Sequence, residues 1–131
     1  MTSIKITKTK NSRLKTTDFN SLGFGKVFSD HMLICDYKNG CWGKPEIVPF
    51  QPICLMPSAK IFHYGQSIFE GMKAYKDNAA KTWLFRPDQN FNRLNKSAKR
   101  LAIPEIPKNI FFDGLKELLK IDNDWIPNLD G

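Results

Sequence analysis

The chain has 131 residues, 41% of them hydrophobic and 25% charged, with a net charge of +7. That length suits one domain with a real core and excludes a two-domain enzyme. The composition is that of an ordinary soluble globular protein. No apolar run approaches the ~18 residues needed to cross a bilayer, and no apolar segment near Met1 marks a secretory signal.

Lys5, Lys8, Lys10, Arg13 and Lys15 all precede the first acid, Asp18, which leaves fifteen of the twenty basic residues against thirteen acids in the remainder. The expectation is a flexible basic arm over residues 1–17 and one small domain over residues 18–131. A nucleic-acid binder would carry a basic stripe interleaved with aromatics on one face. Here the aromatics fall in apolar patterns, so neither nucleic acid nor membrane is expected as a partner. Cys35, Cys41 and Cys54 are odd in number and form no C-x-x-C pair, and His31 and His63 lack an i,i+4 partner. That pattern implies no disulfide framework and no metal site, and it suits a cytoplasmic protein. Both histidines read as structural hydrogen-bonding residues.

Met32 to Tyr37 reads as a strand ended by Lys38-Asn39-Gly40, a tight-turn sequence. Glu46 to Phe50 reads as its partner, with Pro45 and Pro49 pointing to an edge position or an early end, and Ile53 to Met56 as a short extended piece. His63 to Phe69 fits a turn or two of helix. Gly71 to Tyr75 alternates like a strand and pairs across an Asp77-Asn78 loop with Lys81 to Arg86. Pro87 can open a helix at its first position, and Phe91, Leu94, Ala98 and Leu101 share one of its faces. Pro104 and Pro107 end it, and Asn109 is a candidate cap for a second helix carrying Phe111, Phe112, Leu115, Leu118 and Leu119. Gly114 inside that helix costs about 1 kcal/mol relative to Ala. Strands first and helices after argue for an α+β fold, an antiparallel sheet of hairpins covered by two helices. Trp125, Ile126 and Leu129 lie in a polar, turn-rich stretch with no following element to bury them, which suggests truncation.

The densest signal is Phe62–Tyr75, where aromatics, Glu70 and the glycines Gly65 and Gly71 crowd a short segment. A Tyr and a Phe at such a junction suit the wall of an apolar pocket with one polar tip, although from the residues alone Tyr64 and Phe69 read more readily as ordinary core residues. Glu70 reads as an anchor of the turn through backbone hydrogen bonds.

This segment keeps ordered company: Gly23-Phe24-Gly25-Lys26 and Ser29-Asp30-His31-Met32 before it, and Leu84-Phe85-Arg86-Pro87 and Asn90-Phe91-Asn92-Arg93-Leu94 after it. With Pro104 and Asp124-Trp125-Ile126-Pro127, the set resembles the N-terminal part of branched-chain amino acid aminotransferases, pyridoxal-phosphate enzymes of fold type IV. The resemblance runs from about Leu22 to Gly131. It implies the small domain of that architecture, a homodimer, and a parent enzyme that moves the amino group of leucine, isoleucine or valine to 2-oxoglutarate. In that family the lysine holding pyridoxal 5'-phosphate as a Schiff base lies in a later, large domain. The chain is therefore expected to be inactive alone, with no catalytic residue of its own. The rivals are another fold-type-IV enzyme, such as a D-amino acid aminotransferase or aminodeoxychorismate lyase, and a non-catalytic interaction module.

Carried over by that resemblance, Arg93 matches the arginine that contacts the cofactor phosphate, a task guanidinium performs bidentately. Otherwise it reads as a solvated helix arginine. Tyr64 matches the tyrosine bordering the substrate pocket, and Phe24 and Phe69 match aromatics lining it for the aliphatic side chain. Lys73 and Lys76, expected on an exposed strand face and a hairpin loop, match no catalytic position.

Overall fold

A computed structural model describes residues 3–127. In chain order the strands are β1 (Lys5–Ile6), β2 (His31–Ile34), β3 (Tyr37–Lys38), β4 (Cys41–Trp42), β5 (Glu46–Pro49), β6 (Ala74–Lys76) and β7 (Thr82–Leu84). The helices are α1 (Lys60–Tyr64), α2 (Pro87–Arg100) and α3 (Lys108–Ile121). The fold is α+β, with small, mostly antiparallel sheets, and beside the two long helices it carries one short helix near the position the sequence suggested.

The N-terminal segment corrects the expectation of a free arm. β1 pairs parallel with β5, Lys5 opposite Glu46 and Ile6 opposite Ile47, and the Thr7 N–H continues to the Ile47 carbonyl at 2.9 Å. Further along, the Thr9 N–H donates to His31 Nε2 at 2.9 Å, and Asp30 accepts from Ser12 Oγ at 2.5 Å and from the Arg13 N–H at 3.0 Å. Burial pushes the Asp30 carboxyl upward, but the bonds from Ser12, Arg13 and Trp125 outweigh it and hold the group below its usual range. A basic, acid-free stretch looks solvated when its buried acceptors lie some twenty residues downstream.

Asn39 and Gly40 adopt φ of 52° and 80°, the two positive values a two-residue hairpin turn requires, and β3 pairs with β4 across them. Beyond this pair the hairpin shifts register. Tyr37 faces Trp42, whereas Ile34 faces Glu46, so the two residues Cys35 and Asp36 stand against the three from Gly43 to Pro45. This is a bulge, and it breaks the single strand expected over Met32–Tyr37. The long arm of the hairpin then runs β2 against β5. β5 is not an edge strand. It lies between β1 and β2, with Ile47 and Pro45 fully buried. Pro49 is tolerated because it sits past the two residues that β1 pairs.

α3 covers β2 and β5 at close range. A Cβ on Gly114 would lie 2.4 Å from Leu33 Cδ2 and 3.2 Å from Leu33 Cδ1, so the glycine that weakens the helix also lets it approach the sheet. The N-terminal neighbour of α3 is Pro107 rather than the expected Asn109, which lies inside the first turn. α2 starts at Pro87 as the sequence predicts, and Ala98 on its inner face is fully buried. The second hairpin, β6 against β7, is tied by Asp77, whose carboxylate accepts from the Ala79 and Lys81 N–H groups and from Trp83 Nε1. Trp125 and Ile126 are half-buried, Trp125 with its ring centroid 5.8 Å from that of Phe19. Leu129 lies outside the described residues.

Candidate functional site

Asn90 and Arg93 are three residues apart on α2, so their side chains leave one face of the helix together. That face meets the chain just before β6. Arg93 Nε donates to Glu70 Oε2 at 2.7 Å, and Arg93 Nη2 donates to Glu70 Oε1. Asn90 Nδ2 donates to the same Oε1 and to the Gly71 carbonyl, each at 2.9 Å. The Glu70 side chain is 7% exposed, and the Arg93 side chain that covers it is 65% exposed. The bonds from Arg93, helped by Asn90 and the Gly71 N–H, overcome desolvation and hold the Glu70 carboxyl down at about 2; the same pairing raises the Arg93 pKa. Glu70 is therefore no proton acceptor at neutral pH. Its hydrogen bonds come mainly from two side chains of α2 rather than from the backbone groups expected, and they fix the arginine, a role sequence reasoning missed. The available signal was the spacing of Asn90 and Arg93.

The Arg93 guanidinium opens into a groove of about 480 Å³ between α2 and the start of β6, lined also by Lys73, Tyr75, Phe85 and Arg86. Arg93 and Glu70 cancel in charge, so Arg86 and Lys73 give the groove its positive sign. Arg86 precedes Pro87 and has φ 48° and ψ 51°, a left-handed conformation that costs a non-glycine residue about 1–3 kcal/mol. This strain directs the chain from β7 into α2 at the groove mouth. Lys73 is exposed, as expected. Lys76 is not on the loop but ends β6, its side chain 13% exposed and its Nζ 4.0 Å from Asp124 Oδ1.

The structure does not gather the other expected residues around Arg93. Tyr64 ends α1 and is 82% exposed beside a separate hollow formed with Gln66 and Leu101; Gly65 follows with φ 58° and closes that helix. The helix lies earlier than predicted, at Lys60–Tyr64 rather than His63–Phe69. Phe69 is 88% exposed and Phe24 fully exposed at 106%. Each ring stands on the surface. His31 and His63 are hydrogen-bonded, His31 Nδ1 to Asp122 Oδ1 at 2.6 Å and His63 Nε2 to the Pro57 carbonyl at 2.8 Å. Among the described residues no helix is long and apolar enough to cross a membrane.

No family model matches the chain. Curated relatives do. Branched-chain-amino-acid aminotransferase 2 of Bacillus subtilis is 46% identical over 129 residues, covering 98% of this chain and 35% of that protein. The branched-chain-amino-acid aminotransferase of Dictyostelium discoideum is 46% identical over 127 residues, 96% of this chain and 34% of its own. That of Mycolicibacterium smegmatis is 46% identical over 110 residues, 83% and 30%. The chain thus spans about a third of the length of the relatives it matches. Identity at this level over nearly the whole sequence places the chain, as an N-terminal portion, in the branched-chain-amino-acid aminotransferase family.

Proposed function

We propose that this chain is the small-domain part of an enzyme that transfers the amino group of leucine, isoleucine or valine to 2-oxoglutarate, and that Arg93 holds the phosphate of pyridoxal 5'-phosphate. The observation that carries the reading is the Arg93 guanidinium, pinned on one edge by the buried Glu70 on a side chain that is 65% exposed and lines a cationic groove. The donor set fits the group: a fixed planar fork with Arg86 and Lys73 nearby suits a phosphate dianion. Because the side chain is already immobilised, little rotamer entropy is lost when an anion is met.

The bound cofactor would supply the electron-withdrawing ring chemistry of transamination. The chain's own residues recognise and exclude. Arg93 would position the phosphate, Tyr64 would offer a hydroxyl at the substrate's edge, and Phe24 and Phe69 would wall an apolar, water-poor space for a branched side chain. Those three rings are exposed here, so they form a pocket only when covered by the rest of the enzyme or by a second copy in a homodimer. A hydrophobic wall separates side chains differing by one methylene by only about 1–3 kcal/mol, so activity should extend across the branched substrates. The chain alone is inactive in this reading, because the lysine that carries the cofactor belongs to the part it does not span. A cytoplasmic, biosynthetic role accompanies the proposal.

The test joins this chain to the remainder of the Bacillus subtilis relative and measures pyridoxal phosphate affinity and leucine-to-2-oxoglutarate transfer. Arg93→Lys, which keeps the charge and loses the fork, should weaken cofactor affinity at least tenfold. Unchanged affinity would refute the assignment of Arg93, and transfer confined to D-amino acids would refute the substrate class.

A further inference from the structure

The stretch from Lys5 to Arg13 is a strap fastened at three points. At one end β1 pairs with β5. At the other, Ser12 Oγ and the Arg13 N–H donate to Asp30, and Arg13 Nη2 donates to the Phe28 and Ser29 carbonyls at 3.0 Å and 2.8 Å. Those bonds hold together the two ends of segment 14–27, which carries Phe24. Between the two fastenings the Thr9 N–H donates to His31 Nε2 at 2.9 Å. A backbone N–H can only donate, so Nε2 accepts through its lone pair and the ring proton sits on Nδ1, which donates to Asp122 Oδ1 at 2.6 Å. The second oxygen of Asp122 accepts from the His31 N–H at 3.0 Å. His31 and Asp122 are both buried.

We propose that His31 is a proton-operated latch: a second proton on its ring, at Nε2, releases the strap from β2 at Thr9. A protonated Nε2 is a donor, so the Thr9 N–H then meets another N–H and loses its acceptor. The held state keeps one proton on the ring, whereas the released ring can take a second with the Asp122 carboxylate as its counter-charge. Release therefore takes up one proton, and acidification favours it by at most about tenfold per pH unit. An imidazole gains its second proton within about pH 5–8. Asp30, the acceptor at the next fastening, has its pKa below the usual carboxylate range and stays ionised in that window. The surrounding charges do not supply another switch. From the end of α3, Asp122 takes both the ring N–H and the backbone N–H of His31. Asp30 turns to Ser12 and to Arg13, whose Nε lies 3.8 Å away. β5 sets uncharged Pro49 opposite His31, while its Glu46 stands opposite Ile34 with Lys5 Nζ at 3.5 Å. Beyond α3, Asp124 lies 4.0 Å from Lys76 Nζ, and on the strap Lys8 and Lys10 are exposed. The inference rests on these contacts, and on neither the cofactor reading nor the role given to Phe24.

Amide hydrogen exchange of Thr9 against pH tests it, in the 131-residue chain and in the same chain fused to the remainder of the Bacillus subtilis relative, since the three fastenings all lie within this chain. Corrected for the intrinsic exchange rate, protection at Thr9 should fall about tenfold between pH 7.5 and pH 5.5 in both proteins. His31→Gln keeps a donor and an acceptor that do not titrate, so its Thr9 protection should be the same at both pH values. His63→Gln, which removes the other histidine, should leave the fall intact. Where His31→Gln does not fold, the imidazole nitrogen resonances of the unsubstituted protein decide. Nε2 should be unprotonated at pH 7.5 and should gain its proton in step with the loss of Thr9 protection. Protection that ignores pH, a fall that persists in folded His31→Gln or vanishes in His63→Gln, or a proton on Nε2 while Thr9 stays protected would each overturn the proposal.

Discussion

Replacing Glu70 with Gln keeps the shape of the side chain and removes the charge that pins Arg93. The carboxylate accepts from Arg93 Nε at 2.7 Å, from Arg93 Nη2, and from Asn90 Nδ2 at 2.9 Å. A hydrogen bond to a charged group contributes about 1.5–3 kcal/mol. The arginine is 65% exposed, so solvent screening lowers the expected loss for Glu70→Gln to about 1–2 kcal/mol at pH 7. The pH dependence has a definite sign. Folding lowers the Glu70 pKa from 4.5 to about 2, so the stabilisation is complete above pH 4.5 and fades as pH falls toward 2. The amide does not titrate, and the difference between the two proteins should narrow across that window. Urea denaturation followed by fluorescence of Trp42, Trp83 and Trp125, run from pH 7 down to pH 3, measures it. In an Arg93→Met background Glu70→Gln should lose its charge-pair contribution. A difference as large at pH 3 as at pH 7, or no difference at pH 7, would refute the argument.

Other parts of the fold give equally direct outcomes. Gly114→Ala improves helix propensity by about 1 kcal/mol, yet the added Cβ meets Leu33 at 2.4 Å; overpacking costs about 1–3 kcal/mol, so urea titration should show a net loss near 1 kcal/mol that Leu33→Ala reduces. His31→Ala leaves Asp122 buried without the ring bonded to it at 2.6 Å; a loss of about 2 kcal/mol is expected, together with faster proteolysis near Thr9, whose N–H also loses its acceptor. Ala80 has φ 59° in the β6–β7 loop, so Ala80→Gly should raise the thermal midpoint, by an amount equivalent to about 0.5–1 kcal/mol.

Local chemistry was legible in the sequence. Asn39-Gly40 announced its turn and Pro87 its helix start, because the φ values they favour belong to the residues themselves. The errors share a cause. The docked N-terminus, the central position of β5 and the capping of β2 by Asp122 all depend on partners far along the chain: Thr9 meets His31, and His31 meets Asp122 ninety-one residues later. No window of periodicity holds such a pair. At the candidate site the resemblance picked out Arg93, but nothing local in Phe69-Glu70-Gly71 showed that its glutamate would bind that arginine twenty-three residues on.

The two halves of the candidate site reach different states of completion within this chain, and the physics of each explains why. The cationic half is built from contacts internal to it: α2 carries Asn90 and Arg93, the turn before β6 carries Glu70, and the pairing is satisfied without any outside group. Ionic geometry of this kind can be fixed in water because its partners are specific and adjacent. The apolar half cannot, since rings gain little until a second surface excludes water from them. Phe24, Tyr64 and Phe69 therefore stand in solvent, as do Ile53, Leu55, Met56 and Phe62 on the stretch before and within α1. Under the proposed function, this exposed apolar run would be covered by the rest of the enzyme. On that same reading, the anion-holding part of the site would be preorganised by folding, and selection for a branched side chain would wait on assembly. It follows that Glu70→Gln should disturb the cationic half in the isolated chain, whereas substitution of Phe24 or Phe69 should be nearly silent there and register only in the assembled enzyme, as a change in preference among leucine, isoleucine and valine.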